Sequence, residues 1–223
     1  MSGVITKTAP SEEPLTGNEA RIYLKLDSDI ETDLIISLII TARQFVEDYL
    51  GRALITQTLE LGLDGMRDYE IPIFDGIRTG PDIYYKQRTI VMPKPPLREI
   101  VSVTTFNENS VGTVYNADQY YVDTMGTPGR IILKRGSTWP TPLRVGNGIV
   151  VEYKAGYGDR SAVPRGIKQA MLQYLTFLYE NRGELGEKTP AAPNAVTSLL
   201  QPFKVMNFSS NPYYATGAYG FGA

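Results

Sequence analysis

The sequence predicts an α+β fold in which two long amphipathic helices pack beside a mainly antiparallel β region, with extended arms at both ends. Three observations predict it. Apolar residues recur at helical spacing over Ile30–Leu50 and again over Ile167–Leu178. Between them, from Leu54 to Gly156, the pattern changes to short runs with period-two alternation, broken by Gly, Pro, Asn and Asp clusters. Both ends are rich in Pro and small residues and show no such period.

Residues 1–14, with Pro10, Pro14 and several small polar residues, read as a flexible arm. They lack a basic region followed by an apolar stretch, so no secretory signal is expected. Order is expected from Leu15, with residues 15–183 as one core. Thr16 and Glu19 have the capping-box spacing, a hydroxyl to accept from first-turn N–H groups and a carboxylate three residues on. That predicts a short helix over 18–24. Ser28 and Glu31 repeat the spacing, and Ile30, Leu34, Leu38, Ala42, Phe45 and Tyr49, widened by Ile35, Val46 and Leu50, form one stripe. A helix over 29–50, ended by Gly51, is the result.

Across 54–156 the candidate strands are Ile55–Leu63, Glu70–Phe74, Thr89–Met92, Ile100–Phe106, Thr113–Tyr115, Gln119–Asp123, Arg130–Lys134 and Gly148–Lys154. Pro93, Pro95, Pro96, Pro128, Pro140 and Pro142 fall between these runs, where a missing N–H costs no ladder bond. Pro164 then opens a helix over 164–182, with Ile167, Ala170, Met171, Tyr174, Leu175 and Leu178 on one face and Gly183 as its stop. Residues 184–223 form the second arm, in which 194–201 predicts two helical turns before Pro202. Its tail carries Phe208, Tyr213, Tyr214, Tyr219 and Phe221, aromatics that solvated tails normally lack, so they are expected to dock on another chain.

Composition removes much chemistry. The chain has 223 residues, 42% hydrophobic and 21% charged, which suits one good core. Its longest apolar stretch, Leu34–Ile40, is interrupted by Ser37 and falls far short of the roughly 20 residues a membrane span needs. Cysteine and histidine are both absent. Disulfides, zinc sites with Cys or His ligands, Cys nucleophiles and His-based acid–base catalysis are therefore impossible. A formal net charge of -2 gives no global pull toward nucleic acid.

Two enzyme-like signals and one nucleic-acid-like signal remain, and each has a plainer reading. Gly156-Tyr157-Gly158 follows a strong strand, yet the third fingerprint glycine would fall at Ser161 and no βαβ pattern follows. These glycines are expected to make a turn from strand to helix. No stretch fits a Walker loop or a GxSxG elbow. Asp29, Glu31, Asp33, Glu47 and Asp48 sit on or beside a helix whose stripe is complete without them, so a solvated acidic face is expected. No catalytic residue, cofactor or metal is assigned. The basic, tyrosine-bearing segment Asp75–Arg88, with Arg78, Tyr84, Tyr85, Lys86 and Arg88, reads as a hairpin tip or subunit contact, or else as a phosphate- and base-binding loop.

The order of segments resembles a family. ARQFVEDYLGRALITQTLEL (42–61) ends a helix and enters a β region. VMPKPPLREIVSVTTF (91–106), QYYVD (119–123), PGRIILK (128–134) and IVVEYKAGYG (149–158) follow. VPRGIKQAMLQYLTFLYENRGE (163–184) opens the last long helix, and LLQPFKV (199–205) closes the pattern. Together, over residues 15–205, they resemble the head-to-tail connector (adaptor, head-completion) proteins of long-tailed double-stranded DNA bacteriophages. The Asp75–Arg88 loop and the tail after Val205 depart from that pattern.

The resemblance implies a virion structural protein without enzymatic activity, synthesised in the host bacterial cytoplasm. It implies a ring, typically of twelve copies, beneath the portal in the neck of the particle. Such a ring joins head to tail, extends the channel for passing double-stranded DNA, reads no sequence and touches no membrane. Its partners would be itself, the portal protein and the next neck or tail-completion protein. By this resemblance Leu199, Leu200, Pro202, Phe203 and Lys204 are the first candidates for portal contact, with Tyr213, Tyr214, Tyr219 and Phe221 second. Were the acidic helix face to line the channel, Asp29, Glu31 and Asp33 would repel the DNA backbone and let it slide. The rival readings are another neck or tail-end ring (a stopper), a DNA-binding accessory factor and a carboxylate-dependent hydrolase.

Overall fold

A computed structural model of the chain describes residues 3–26, 31–64, 88–181 and 192–205. The fold is α+β with antiparallel sheets, and it divides into two compact units. The strand unit holds Gln57–Ala155 together with residues 3–9; the helical unit holds Pro10–Thr56 and the described residues from Gly156 to 205.

In the strand unit, β1 (Gly3–Thr8), β2 (Gln57–Leu63), β8 (Ile149–Ala155), β4 (Leu97–Phe106) and β5 (Gly112–Val114) form one antiparallel sheet in that order. A second sheet is ordered β3 (Thr89–Val91), β7 (Arg130–Leu133), β6 (Tyr120–Asp123). β8 is the central strand of the larger sheet, and its alternation shows why. Ile149, Val151, Tyr153 and Ala155 are fully buried while the residues between them are half-buried, the period of a strand with one covered face. β8 pairs with β2 in unbroken register from Gln57 opposite Ala155 to Leu63 opposite Ile149.

The candidate prolines lie outside these strands. Strand boundaries differ from the sequence expectation by a few residues, most at β4, which starts at Leu97 because that buried side chain already pairs with Ala155. The expected strand Glu70–Phe74 lies outside the described residues. One expectation is corrected: Gly3–Thr8, read as part of a flexible arm, forms the edge strand β1 along β2.

Tyr153 shows how the sheet handles a buried polar atom. Its hydroxyl donates to the Pro93 carbonyl at 2.9 Å, and burial pushes the phenol's pKa far up, so it stays a neutral donor. Tyr153→Phe removes that bond and is expected to cost about 1 kcal/mol in urea unfolding.

In the helical unit, α1 (Gly17–Leu24), α2 (Thr32–Leu50), α3 (Arg165–Glu180) and α4 (Asn194–Leu200) enclose a core of Ile35, Ile39, Val46, Leu50, Ile167, Met171, Leu175, Val196 and Leu200. No helix among the described residues is long and apolar enough to cross a membrane. The predicted capping box is present at α1. The Thr16 hydroxyl accepts from Glu19 N–H at 3.0 Å, and Glu19 Oε2 accepts from Thr16 N–H at 2.7 Å.

Those bonds have a pH consequence. The Thr16 backbone bond holds the Glu19 carboxyl below its ordinary pKa, helped by the Thr16 hydroxyl and the Lys168 and Arg160 charges and opposed by burial. A depressed folded pKa stabilises fully above the unfolded value, about 4.3, and that stability is lost as pH falls through the lower folded value. Thr16→Ala is expected to cost about 1 kcal/mol near neutral pH. The gap between variant and parent unfolding midpoints should narrow as the pH is lowered through the folded Glu19 pKa.

Candidate docking surface

The C-terminal described segment is built onto the end of α2. Val196 and Leu200 are fully buried on one face of α4, two turns of helix that bring the chain back to the core. A tight turn, Gln201–Phe203, then carries it across the α2 C-terminus, where helix carbonyls lack intrahelical donors. Val205 N–H supplies one, bonding Leu50 O at 3.0 Å. Arg52 Nε donates to Phe203 O at 2.5 Å. Tyr49 Oη bonds Gln201 Oε1 at 3.2 Å, and Lys204 Nζ lies 4.7 Å from the Tyr49 ring centroid. The last turn of α2 has no basic residue of its own, so Lys204 brings a cation to the negative end of that helix.

The five predicted portal-contact residues therefore separate. Leu200 is fully buried in the chain's own core, and Leu199 and Phe203 are half-buried against it. Pro202 and Lys204 are exposed, beside exposed Gln201. The segment presents Gln201, Pro202 and Lys204 outward, and the apolar residues position them. Tyr213, Tyr214, Tyr219 and Phe221 lie outside the described residues.

The predicted acids separate as well. Asp33 is exposed in the first turn of α2, where a negative charge also suits the helix dipole. Glu31 accepts a hydrogen bond from the Tyr179 hydroxyl of α3, and Asp29 lies outside the described residues. Of the basic segment, Arg78, Tyr84, Tyr85 and Lys86 also lie outside them, while the Arg88 guanidinium donates to the carbonyls of Leu133 and Lys134.

One sequence reading is overturned. Glu47, expected on a solvated face, is 5% exposed, and Arg43 beside it is 8% exposed. Arg43 Nη1 donates to Glu47 Oε2 at 2.9 Å and Arg43 Nε to Glu13 Oε2 at 2.8 Å, while Glu47 Oε1 accepts from Leu54 N–H at 2.8 Å. The signal was available. Ile35, Ile39, Arg43 and Glu47 each stand four residues apart, so the pair continues the buried stripe instead of facing away from it.

Tyr157 N–H bonds Leu54 O at 3.1 Å, and Thr56 N–H bonds Gly158 O at 2.9 Å. These bonds pin the turn at Gly156–Gly158 against residues 54–56. A shallow depression is lined by Glu12, Asp159, Arg160, Ser161 and Lys168. Its charges largely serve one another, since Arg160 bonds Glu12, and Asp159 Oδ1 caps Ser161 and Ala162. Among the described residues no group of three His, Cys, Asp or Glu could hold a metal ion.

No family model and no curated protein sequence matches the chain. Solved structures do. A chain in the neck of an empty gene transfer agent (GTA) particle, computed with C6 symmetry, superposes with a TM-score of 0.72 at 19% identity, covering 94% of this chain and 98% of that one. The two chains share a fold. A chain in the virion of the native gene transfer agent particle gives 0.68 at 18% identity, over 93% and 98%. A third, in the native GTA neck computed with C12 symmetry, gives 0.66 at 19% identity, over 95% and 98%.

Proposed function

We propose that this chain is a structural, non-catalytic neck protein of a phage-like particle, a connector that forms a ring beneath the portal, joins head to tail and extends the DNA channel. The observation carrying it is fold likeness over nearly the whole of both chains, 94% of this one and 98% of a chain from a particle neck. Necks computed with six-fold and twelve-fold symmetry favour a ring of this chain, with twelve copies as the working number. In this reading residues 15–183 form the connector core and 184–223 the docking arm. Gln201, Pro202 and Lys204, with the tail aromatics, meet the portal; the 75–88 segment meets a neighbour or the next ring; and Asp33 is an exposed acid available to line the channel. In this reading α2 and α3 are the two long amphipathic helices of each subunit.

The test is negative-stain imaging of the protein mixed with purified portal rings. Truncation must spare α4, because Val196 and Leu200 belong to the core. The useful variants therefore end after Val205 or carry Lys204→Glu. The parent chain is expected to add a stacked ring to the portal, and both variants to do so less. A parent chain that ignores portals removes the portal assignment; one that stacks only on a portal already bearing a ring belongs further down the neck.

A further inference from the structure

β1 and the edge it covers are unequal partners. β1 runs along β2, with Gly3 opposite Gly62, Val4 opposite Leu61, Ile5 opposite Glu60 and Thr6 opposite Leu59. Yet no β1 side chain is buried, and Ile5 is 61% exposed. Backbone hydrogen bonds and an ion pair, Lys7 Nζ to Glu152 Oε2 at 2.5 Å, hold the strand in place. The covered edge, by contrast, needs a strand. β2 buries Gln57, Leu59 and Leu61, and without β1 it would present an open row of N–H and C=O groups. It also sets Glu60 directly opposite Glu152, a like-charge pair that destabilises until a cation such as Lys7 arrives.

β1 buries no side chain that would tie it to its own copy, and its backbone and ion-pair contacts could be made equally by an identical strand. The strand ends at Thr8, and the chain leaves the strand unit after Ala9. At Pro10 it enters the helical unit, where Arg160 Nη2 meets Glu12 Oε2 at 3.1 Å and Arg43 Nε meets Glu13 Oε2 at 2.8 Å. Six residues with no buried anchor, bounded by a proline and a fixed segment, are a swappable element. Exchanging an identical element between copies conserves every native contact and is a low-cost route to assembly.

We propose that β1 is an exchange strand: in the assembled protein, Gly3–Thr8 of one copy pairs with β2 of a second copy. The ring form of this proposal rests on the function proposed above. In a closed ring each copy gives one strand and receives one, whereas an open chain of copies leaves one β2 edge bare. Exchange therefore favours closure.

The absence of cysteine gives a clean test. Antiparallel partners stand about 4.5–5.5 Å apart between Cα atoms, within the roughly 4.4–6.8 Å that a disulfide spans. Full-length Ile5→Cys carrying a size tag is mixed with full-length Glu60→Cys and oxidised, alone and on portal rings, with assembly read by light scattering and imaging. Exchange predicts a mixed covalent dimer well above either like-with-like dimer, and an oligomer ladder from the Ile5→Cys/Glu60→Cys double variant. Intrachain closure of the double variant with no mixed dimer, in samples that contain rings, overturns exchange and leaves the ring standing. Monomers throughout both samples overturn both.

Discussion

Glu47→Ala is expected to destabilise the protein by about 3–5 kcal/mol, because it breaks a buried ion pair from one side. Two losses combine. Leu54 N–H, bonded to Glu47 Oε1 at 2.8 Å, becomes a buried donor without an acceptor. Arg43, with a side chain only 10% exposed, keeps Glu13 but loses its better-buried carboxylate. A surface i,i+4 pair of the same residues would be worth about 0.3–0.5 kcal/mol, so the measured value decides between a solvated face and a buried clamp. The companion variant is Arg43→Met/Glu47→Gln, which removes both charges and leaves an amide oxygen for Leu54 N–H. Its loss should be smaller than that of Glu47→Ala, since the charge it leaves unpaired, Glu13, has a side chain 24% exposed to water, whereas Glu47→Ala strips the better-buried Arg43. Urea unfolding at constant m-value measures both, and a loss under about 1 kcal/mol for Glu47→Ala would return this pair to the surface class.

What could be read from the sequence follows from what leaves a period. α2, α3 and β8 each bury a full stripe or face, so their residues alternate or recur in the chain and their extents are legible within a few positions. β1 leaves no such trace. An edge strand held by its backbone has no buried side chain to write a pattern, and the prolines behind it argue for an arm. Glu47 was misread, and its partner Arg43 not singled out, for the opposite reason. Their pattern was present, but charge at i and i+4 ordinarily marks a solvated face. The resemblance makes the LLQPF segment a partner surface as a whole and carries no burial pattern, whereas its leucines pack into the chain's own core and Gln201 and Pro202 face out. The division into two units was illegible too, since the chain passes between them three times, at Pro10, Gln57 and Gly156, so neither unit is one continuous stretch of sequence.

Those crossings make Gly156 the second position where one atom should matter. Gly156 follows β8 directly and sits at φ +131, a conformation L side chains rarely adopt. A Cβ there would stand 2.4 Å from Ile55 O, 2.5 Å from Ile55 C and 2.7 Å from Thr56 N. These are backbone atoms, and the bonds of Tyr157 N–H to Leu54 O and Thr56 N–H to Gly158 O hold them against the turn. Neither side can yield without breaking one of those bonds. The strained dihedral alone costs about 1–3 kcal/mol, and the collision adds to it, so Gly156→Ala is expected to lose more than about 3 kcal/mol or fail to fold. Gly51 supplies the control. It caps α2 at φ +66, where the nearest atom to an added Cβ is 3.9 Å away, so Gly51→Ala has only the left-handed penalty of about 1–2 kcal/mol. Thermal melts of the two variants side by side separate the effects. Equal losses would mean that the close approach of residues 54–56 relaxes at no cost; a much larger loss at Gly156 would identify the turn as a contact that the helical unit cannot rearrange.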